Sequence, residues 1–358
     1  MEIRSRAPLR IGFAGGGTDL ESYSNRFGGC VLNSAICMYA YCTIYPSQDN
    51  RIKIQSYDNK NSIDTESVTE LPIIGDHLIL HRGVYNHIVK NFNDGKPLSF
   101  FMCTSNDAPV GSGLGTSSTM VIAIIEAFDK WLRLGLSDYQ KASMAYDIER
   151  KELKLAGGKQ DQYAAVFGGF NFMEFRKDGN VIVNSLHLSR QRILELESSM
   201  LLFYSGISRK SAEVQLELAK NIVKDQIKNT ETEKQTTAMD AMQKIKENAA
   251  FMKDCVLIGD FEGIKQSFRE AWENKKKTSS FVSNKKLEDI ISHAMKSGAE
   301  AIKVSGAGGG GFLLMLCNPI NRQKLQNSME EIGKVYPVKL TPNGAESWVI
   351  PQAGDKVK

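Results

Sequence analysis

Between an apolar segment that reads as a strand, Leu98 to Thr104, and an apolar run that reads as a buried helix, Thr119 to Leu134, lies Pro109-Val110-Gly111-Ser112-Gly113-Leu114-Gly115-Thr116-Ser117-Ser118. No other stretch constrains the chain as strongly. Gly111, Gly113 and Gly115 let the backbone turn tightly with its N–H groups facing one point, and the helix that follows directs its positive end at the same point. This is a cradle for a polyphosphate. A flexible surface loop is the competing reading, but such a loop rarely has an apolar strand before it and a helix start after it.

The 358 residues are enough for two domains, and 42% hydrophobic with 24% charged residues is ordinary globular composition. Lysine and arginine outnumber aspartate and glutamate by only 45 to 41, so no nucleic-acid partner is required and anionic small molecules fit the balance. Cys30, Cys37, Cys42, Cys103, Cys255 and Cys317 are scattered without a C-x-x-C pair and read as reduced thiols. The N-terminus lacks the basic-then-apolar pattern of a signal peptide, and no apolar run approaches roughly 18 residues. A cytoplasmic protein with no membrane partner is expected.

Residues 7–14 and 29–46 are rich in Ile, Val, Tyr and Cys, and Ile52 and Ile54 alternate with polar neighbours, so the first third reads mainly as strands. Ser137 and Gln140 have capping-box spacing. The helix they open carries Ala142, Ala145, Tyr146 and Leu153 on one stripe, and Gly157-Gly158 is expected to end it. Glu149 falls on that core-facing stripe, where an unpaired carboxylate is costly, so it needs a cation or a metal. Lys177-Asp-Gly-Asn180 marks a hairpin. From Lys210 to about Lys277 the pattern turns helical and highly charged, a second helix candidate spans Asn284 to Lys296, and a terminal mixture of strands and a helix follows. The composition shift near residue 186 suggests domains at 1–186 and 187–358.

Three further segments carry chemistry. Pro8-Leu-Arg10-Ile-Gly-Phe-Ala-Gly15-Gly16-Gly17-Thr18-Asp19 is a strand ending in three glycines, where something must approach the backbone closely. Arg10 can stabilise phosphoryl charge and Asp19 can accept hydrogen bonds from a polyol, although Asp19 might equally cap a helix at Leu20. Gly157-Gly-Lys159-Gln-Asp161-Gln-Tyr163 adds a second carboxylate twelve positions after Glu149. One acid would hold magnesium and the other would orient or deprotonate an attacking hydroxyl, while an Asx turn is the bland account of Asp161. Lys303-Val-Ser305-Gly-Ala-Gly308-Gly309-Gly-Gly311-Phe312 is another glycine loop after a strand and could close over a phosphate or a sugar.

Together these segments resemble, in order, the three motifs of the GHMP superfamily of small-molecule kinases. The first carries onto Pro8, Arg10, Gly15, Thr18 and Asp19, the second onto Pro109, Gly113, Leu114, Gly115, Thr116 and Ser117, and the third onto Ser305 to Gly311. The resemblance implies an α+β fold of two domains, an N-terminal α/β one and a ferredoxin-like C-terminal one, with the nucleotide in the cleft between them. It implies ATP and Mg2+ as cofactors, with Pro109, Gly111, Ser112, Gly113, Leu114, Gly115, Thr116, Ser117 and Ser118 on the phosphates. Ser117 and Glu149 would be the metal ligands, Asp161 with Arg10 the catalytic pair, and Gly16, Gly17, Thr18, Asp19, Lys159, Gly308 and Gly309 the substrate contacts.

Gly16 and Gly17 stand where galactokinases carry Glu-His, which argues against galactose. Ala14 to Asp19, Gly157 to Tyr163 and Tyr204-Ser-Gly-Ile-Ser-Arg209 are most similar to the superfamily's heptose 7-phosphate kinases, with fucokinases as near relatives. That likeness implies phosphorylation of an anomeric hydroxyl. A 7-phosphate needs basic partners, and Arg82, Lys159, Arg209 and Lys210 are the candidates, each of which also reads as a solvated surface cation. The partners implied are a sugar phosphate and ATP, a homodimer is left open, and a non-catalytic sensor on the same fold is the distant alternative.

Overall fold

The computed structural model describes residues 1–58, 60–75, 78–207, 211–228 and 238–351. Strands β1 (Glu2–Ala14), β2 (Gly29–Pro46), β3 (Arg51–Ser56), β4 (Asn61–Glu66), β5 (Phe100–Asn106), β6 (Phe170–Phe175) and β7 (Val181–Ser185) form most of one sheet. A second sheet contains β8 (Met200–Tyr204), β9 (Ala299–Val304), β10 (Phe312–Cys317) and β11 (Lys334–Pro337) in the antiparallel order β11-β8-β10-β9. That order is the ferredoxin-like one. The final strand, β12 (Glu346–Ile350), returns to the first sheet and pairs antiparallel with β1, so one cut at residue 186 does not separate the two sheets. The fold is α+β.

β1 decides where the site forms. Ile3 and Ala7 belong to the core beneath the helix Thr116–Leu132, whereas Leu9, Ile11 and Phe13 belong to a core shared with Leu202, Phe268 and Phe312 of the second half. Between these stretches the pairing is irregular: Pro8 opposes Tyr39, but Arg10 opposes Ala35. Such an irregularity re-aims side chains. β2 spans both regions, pairing with β6 through Gly29 to Ser34 and with β5 through Ala40 to Pro46. Its first half is buried throughout, and the strand packs against the helices Thr116–Leu132 and Ala238–Ile258.

The predicted helix after Ser137 has its capping box: Gln140 N–H donates to Ser137 Oγ, and Ser137 N–H donates to Gln140 Oε1 at 2.9 Å. It does not run to Gly157. The α-helix covers Asp138–Tyr146, and a π-helical turn, Asp147–Glu152, carries Glu149 inward. Gly157 and Gly158 lie in the loop before the helix Gln160–Phe167. The charged region after β8 contains the helices Ser211–Lys228, Ala238–Ile258 and Phe261–Lys276. Among the described residues no helix is long and apolar enough to cross a membrane.

Candidate active site

The second and third glycine loops meet backbone to backbone. Gly113, at φ 82°, lies so close to the third loop that a Cβ on it would stand 2.6 Å from the carbonyl oxygen of Ser305. Ser305 Oγ donates to the Gly113 carbonyl at 3.0 Å, and the N–H of Phe312 donates to that of Ser112 at 2.9 Å. The second glycine loop is thus fastened to the second sheet. Pro109 and Ser117 are exposed, whereas Ser112, Leu114, Thr116 and Ser118 are buried.

Arg10 clamps this loop to Asp161. Its backbone N–H donates to Leu114 O at 3.1 Å, its Nη1 donates to Gly113 O at 2.6 Å, and its Nε and Nη2 lie 2.8 and 2.7 Å from Asp161 Oδ1. Asp161 stands in the first turn of its helix, where a carboxylate also meets the positive helix end. Asp19 sits alongside and is held differently. It accepts from Gly17 N–H, from Gln160 N–H and from Gln160 Nε2, each at 3.1 Å. It does not cap the helix Glu21–Phe27. Burial pushes its carboxyl above the usual aspartate range, and the charge of Asp161 adds to this while the N–H donors oppose it. Gly158 must be glycine, because a Cβ there would come within 1.9 Å of Asp19 Oδ2.

Glu149 is fully buried. Its Oε1 accepts from Ser118 Oγ at 3.0 Å, its Oε2 from Gln162 Nε2 at 2.5 Å, and Arg150 Nη1 stands 3.5 Å away. The hydroxyl on Glu149 is therefore Ser118's, not Ser117's. Burial raises its pKa, with Arg150 the main opposing influence.

Arg10, Gly16, Gly17, Asp19, Gly158, Gln160 and Asp161 line a cleft together with Leu218, Met242, Lys275, Gly306 and Ala307. Several expected contacts lie elsewhere. Thr18 is buried, with its Oγ1 accepting from Cys30 N–H and 2.8 Å from the carbonyls of Gly15 and Cys30, so it shapes the first loop rather than meeting a ligand. Lys159 is turned away to Gly179 O at 3.1 Å and Glu21 at 3.4 Å. Arg82, on the helix Ile79–Phe92, donates to Pro72 O and does not line the cleft. Gly308 and Gly309 pack on Val282, leaving Gly306 and Ala307 to face the cleft. Arg209 and Lys210 lie outside the described residues.

Sequence reasoning missed two lysines. Lys275 lines the cleft and donates to the carbonyl of Gly306. Lys303 is buried, donates to Phe13 O at 2.8 Å and lies 5.6 Å from the centre of the Phe268 ring. The only signal for Lys303 was its place between Ile302 and Val304 in an apolar strand. Lys275 was hidden in the run Lys275-Lys276-Lys277.

The geometry unites a glycine loop at a helix start, an arginine-held carboxylate and a second carboxylate beside it. The family described as GHMP kinases N terminal domain matches residues 79–169, and GHMP kinases C terminal matches 243–335. The chain belongs to the GHMP kinase family. It is accordingly an ATP-dependent kinase, and its similar proteins include sugar kinases. It is 40% identical, over 97% of its own length and 99% of the other's, to D-glycero-alpha-D-manno-heptose 7-phosphate kinase of Campylobacter jejuni. A crystal structure titled as a D-glycero-D-manno-heptose 1-phosphate kinase from Bacteroides thetaiotaomicron superimposes with a TM-score of 0.81 at 40% identity, covering 98% of this chain and 100% of that one. A Pyrococcus furiosus galactokinase is 24% identical over 95% of both chains.

Proposed function

We propose that this chain transfers the γ-phosphoryl group of ATP to the anomeric hydroxyl of D-glycero-D-manno-heptose 7-phosphate, giving the 1,7-bisphosphate and ADP. The observation that supports the reaction type is the Arg10–Asp161 pair fastened to Gly113 and Leu114, with its carboxylate beside the glycine loop and in the lining of the cleft. The heptose assignment is supported by the named relative at 40% identity.

Asp161 orients the sugar hydroxyl and accepts its proton as the new oxygen–phosphorus bond forms and the bond to the departing ADP oxygen breaks. Arg10 holds Asp161 in one orientation and lies where charge develops on the phosphoryl oxygens. Asp19, already supported by three N–H donors, has acceptor capacity left for sugar hydroxyls. Glu149 with the hydroxyls of Ser117 and Ser118 would hold magnesium. These are hard oxygen donors suited to that ion, and the nearby Gln162 Oε1 is buried with no hydrogen-bond partner among the described residues. When bound, magnesium would offset the charge of the ATP phosphates.

The test is ATP consumption with magnesium across heptose 7-phosphate, heptose 1-phosphate, mannose, L-fucose and galactose, with phosphorus NMR of the product. A new anomeric phosphate signal formed only from heptose 7-phosphate is expected. Turnover of fucose alone would make the chain a fucokinase, and turnover of none would favour a sensor.

A further inference from the structure

Lys275 lies outside all three glycine motifs, in the last turn of the helix Phe261–Lys276, and lines the same cleft as Asp19 and Asp161. Its surroundings are unusual for a lysine. The ammonium donates to the carbonyl of Gly306 and lies 3.9 Å from where a Cβ on Gly16 would stand, so it looks into the narrow space between the first and third loops. Among the described residues no carboxylate lies within 4 Å of it, whereas its neighbour Lys276 pairs with Glu273 at 2.7 Å.

Two other cations stand near it. Arg10 is already paired with Asp161, and among the described residues Lys303 has a carbonyl and an aromatic face as partners. Burial first, and Arg10 second, push the Lys275 ammonium down to about 8, with Asp19 opposing. Burial and the charges of Lys275 and Arg10 push Lys303 well below the ordinary lysine value. Arg10, Lys275 and Lys303 thus cluster against the carboxylates of Asp19 and Asp161, and with Arg10 already on Asp161 an anion bound beside Lys275 would favour its charged form. Its position beside the loop that touches Gly113 makes that anion a phosphoryl group.

We propose that Lys275 is a phosphate-binding residue of this cleft, exchanging the Gly306 carbonyl for a phosphoryl oxygen of the bound substrates. The proposal rests on the kinase reading above, and two phosphoryl groups share the required chemistry: the ester already on the acceptor and the group in transfer.

The experiment compares wild type, Lys275→Gln and Lys275→Arg. Gln keeps a donor for Gly306 without the charge, and Arg keeps the charge. Binding of inorganic phosphate is measured by calorimetry at fixed ionic strength, alongside melting temperature and steady-state kinetics with heptose 7-phosphate and free heptose. Loss of one charge-assisted contact should weaken phosphate binding by about 10- to 100-fold in the Gln variant, with recovery in the Arg variant. A rise in KM of that size confined to the phosphorylated sugar identifies the acceptor ester. A matching fall in kcat with both sugars identifies the group in transfer. Unchanged phosphate binding and unchanged kinetics in a folded Gln variant would overturn the proposal, leaving Lys275 as a tie to Gly306. If wild type phosphorylates neither sugar, the heptose reading fails while the phosphate titration still decides the role of Lys275.

Discussion

Asp161 and Asp19 are neighbouring carboxylates with different supports, in keeping with the different tasks proposed for them. A guanidinium holds Asp161 through Oδ1, whereas amide donors hold Asp19. Asp161→Asn should lower kcat by about 10²- to 10⁴-fold in a protein that still folds but melts lower, because the buried Arg10 loses its counter-charge, and a mutant turning over at the wild-type rate would remove Asp161 from the chemistry. Glu149 tests a different quantity. Its folded pKa is raised, so the folded state holds its proton more tightly than the unfolded chain does, and stability falls as pH rises from the ordinary glutamate value through the folded one. Glu149→Gln should therefore raise the melting temperature of the ligand-free protein at neutral pH, and the gain should shrink as the pH is lowered through the acid range. Reduced stability at neutral pH would show that the Arg150 contact outweighs burial. The acids were legible from the sequence because a carboxylate on an apolar stripe or in a glycine turn is conspicuous. Lys275 and Lys303 were not, because a lysine in a charged run or a strand reads as a solvated side chain until the packing around it is known.

The glycine loops work as a pair. The near-contact of Gly113 with Ser305, and of Gly306 with Gly113, leaves no room for a side chain on either. Gly113→Ala would also put a Cβ on a residue at φ 82°, and should cost about 1–3 kcal/mol of stability and raise the KM for ATP. Denaturant unfolding with an ATP titration checks both, and a normal KM would mean that the third loop does not set the shape of the second. Thr18→Val should cost about 1–3 kcal/mol by denaturation, since it leaves the Cys30 N–H without its buried acceptor. The order of the strands, loops and helices around these glycines could be read in advance from apolar runs and turn residues. The π-helical turn at Asp147–Glu152 could not, because three- and four-residue spacing assumes 3.6 residues per turn and does not register a locally wider one.

At the scale of the molecule, the chain closes on itself. β12 pairs with β1 from Glu2 to Arg6, Glu346 meets the guanidinium of Arg6 at 2.5 Å, and Ser347 donates to the buried Glu126, which also pairs with Lys141 at 2.7 Å. Residues 1–186 expressed alone would present β1 as an unpaired edge and uncover Leu9, Ile11 and Phe13. That fragment should aggregate or unfold at lower denaturant than the full chain, and a soluble fragment with a cooperative transition at the full-chain midpoint would show the closure to be dispensable. By itself the sequence determined the reaction class and the three glycine loops, and it singled out Asp19, Glu149 and Asp161 as candidate acids, because glycine, hydroxyl and carboxylate chemistry is local and declares itself at short spacing. Only the tertiary structure decided that Ser118 meets Glu149, that Thr18 and Lys159 are occupied elsewhere, that Gly306 rather than Gly308 faces the cleft, and that Lys275 enters it from a helix more than one hundred residues after Asp161. Those choices depend on which faces are buried when two sheets share one core, and burial is a property of the packed chain.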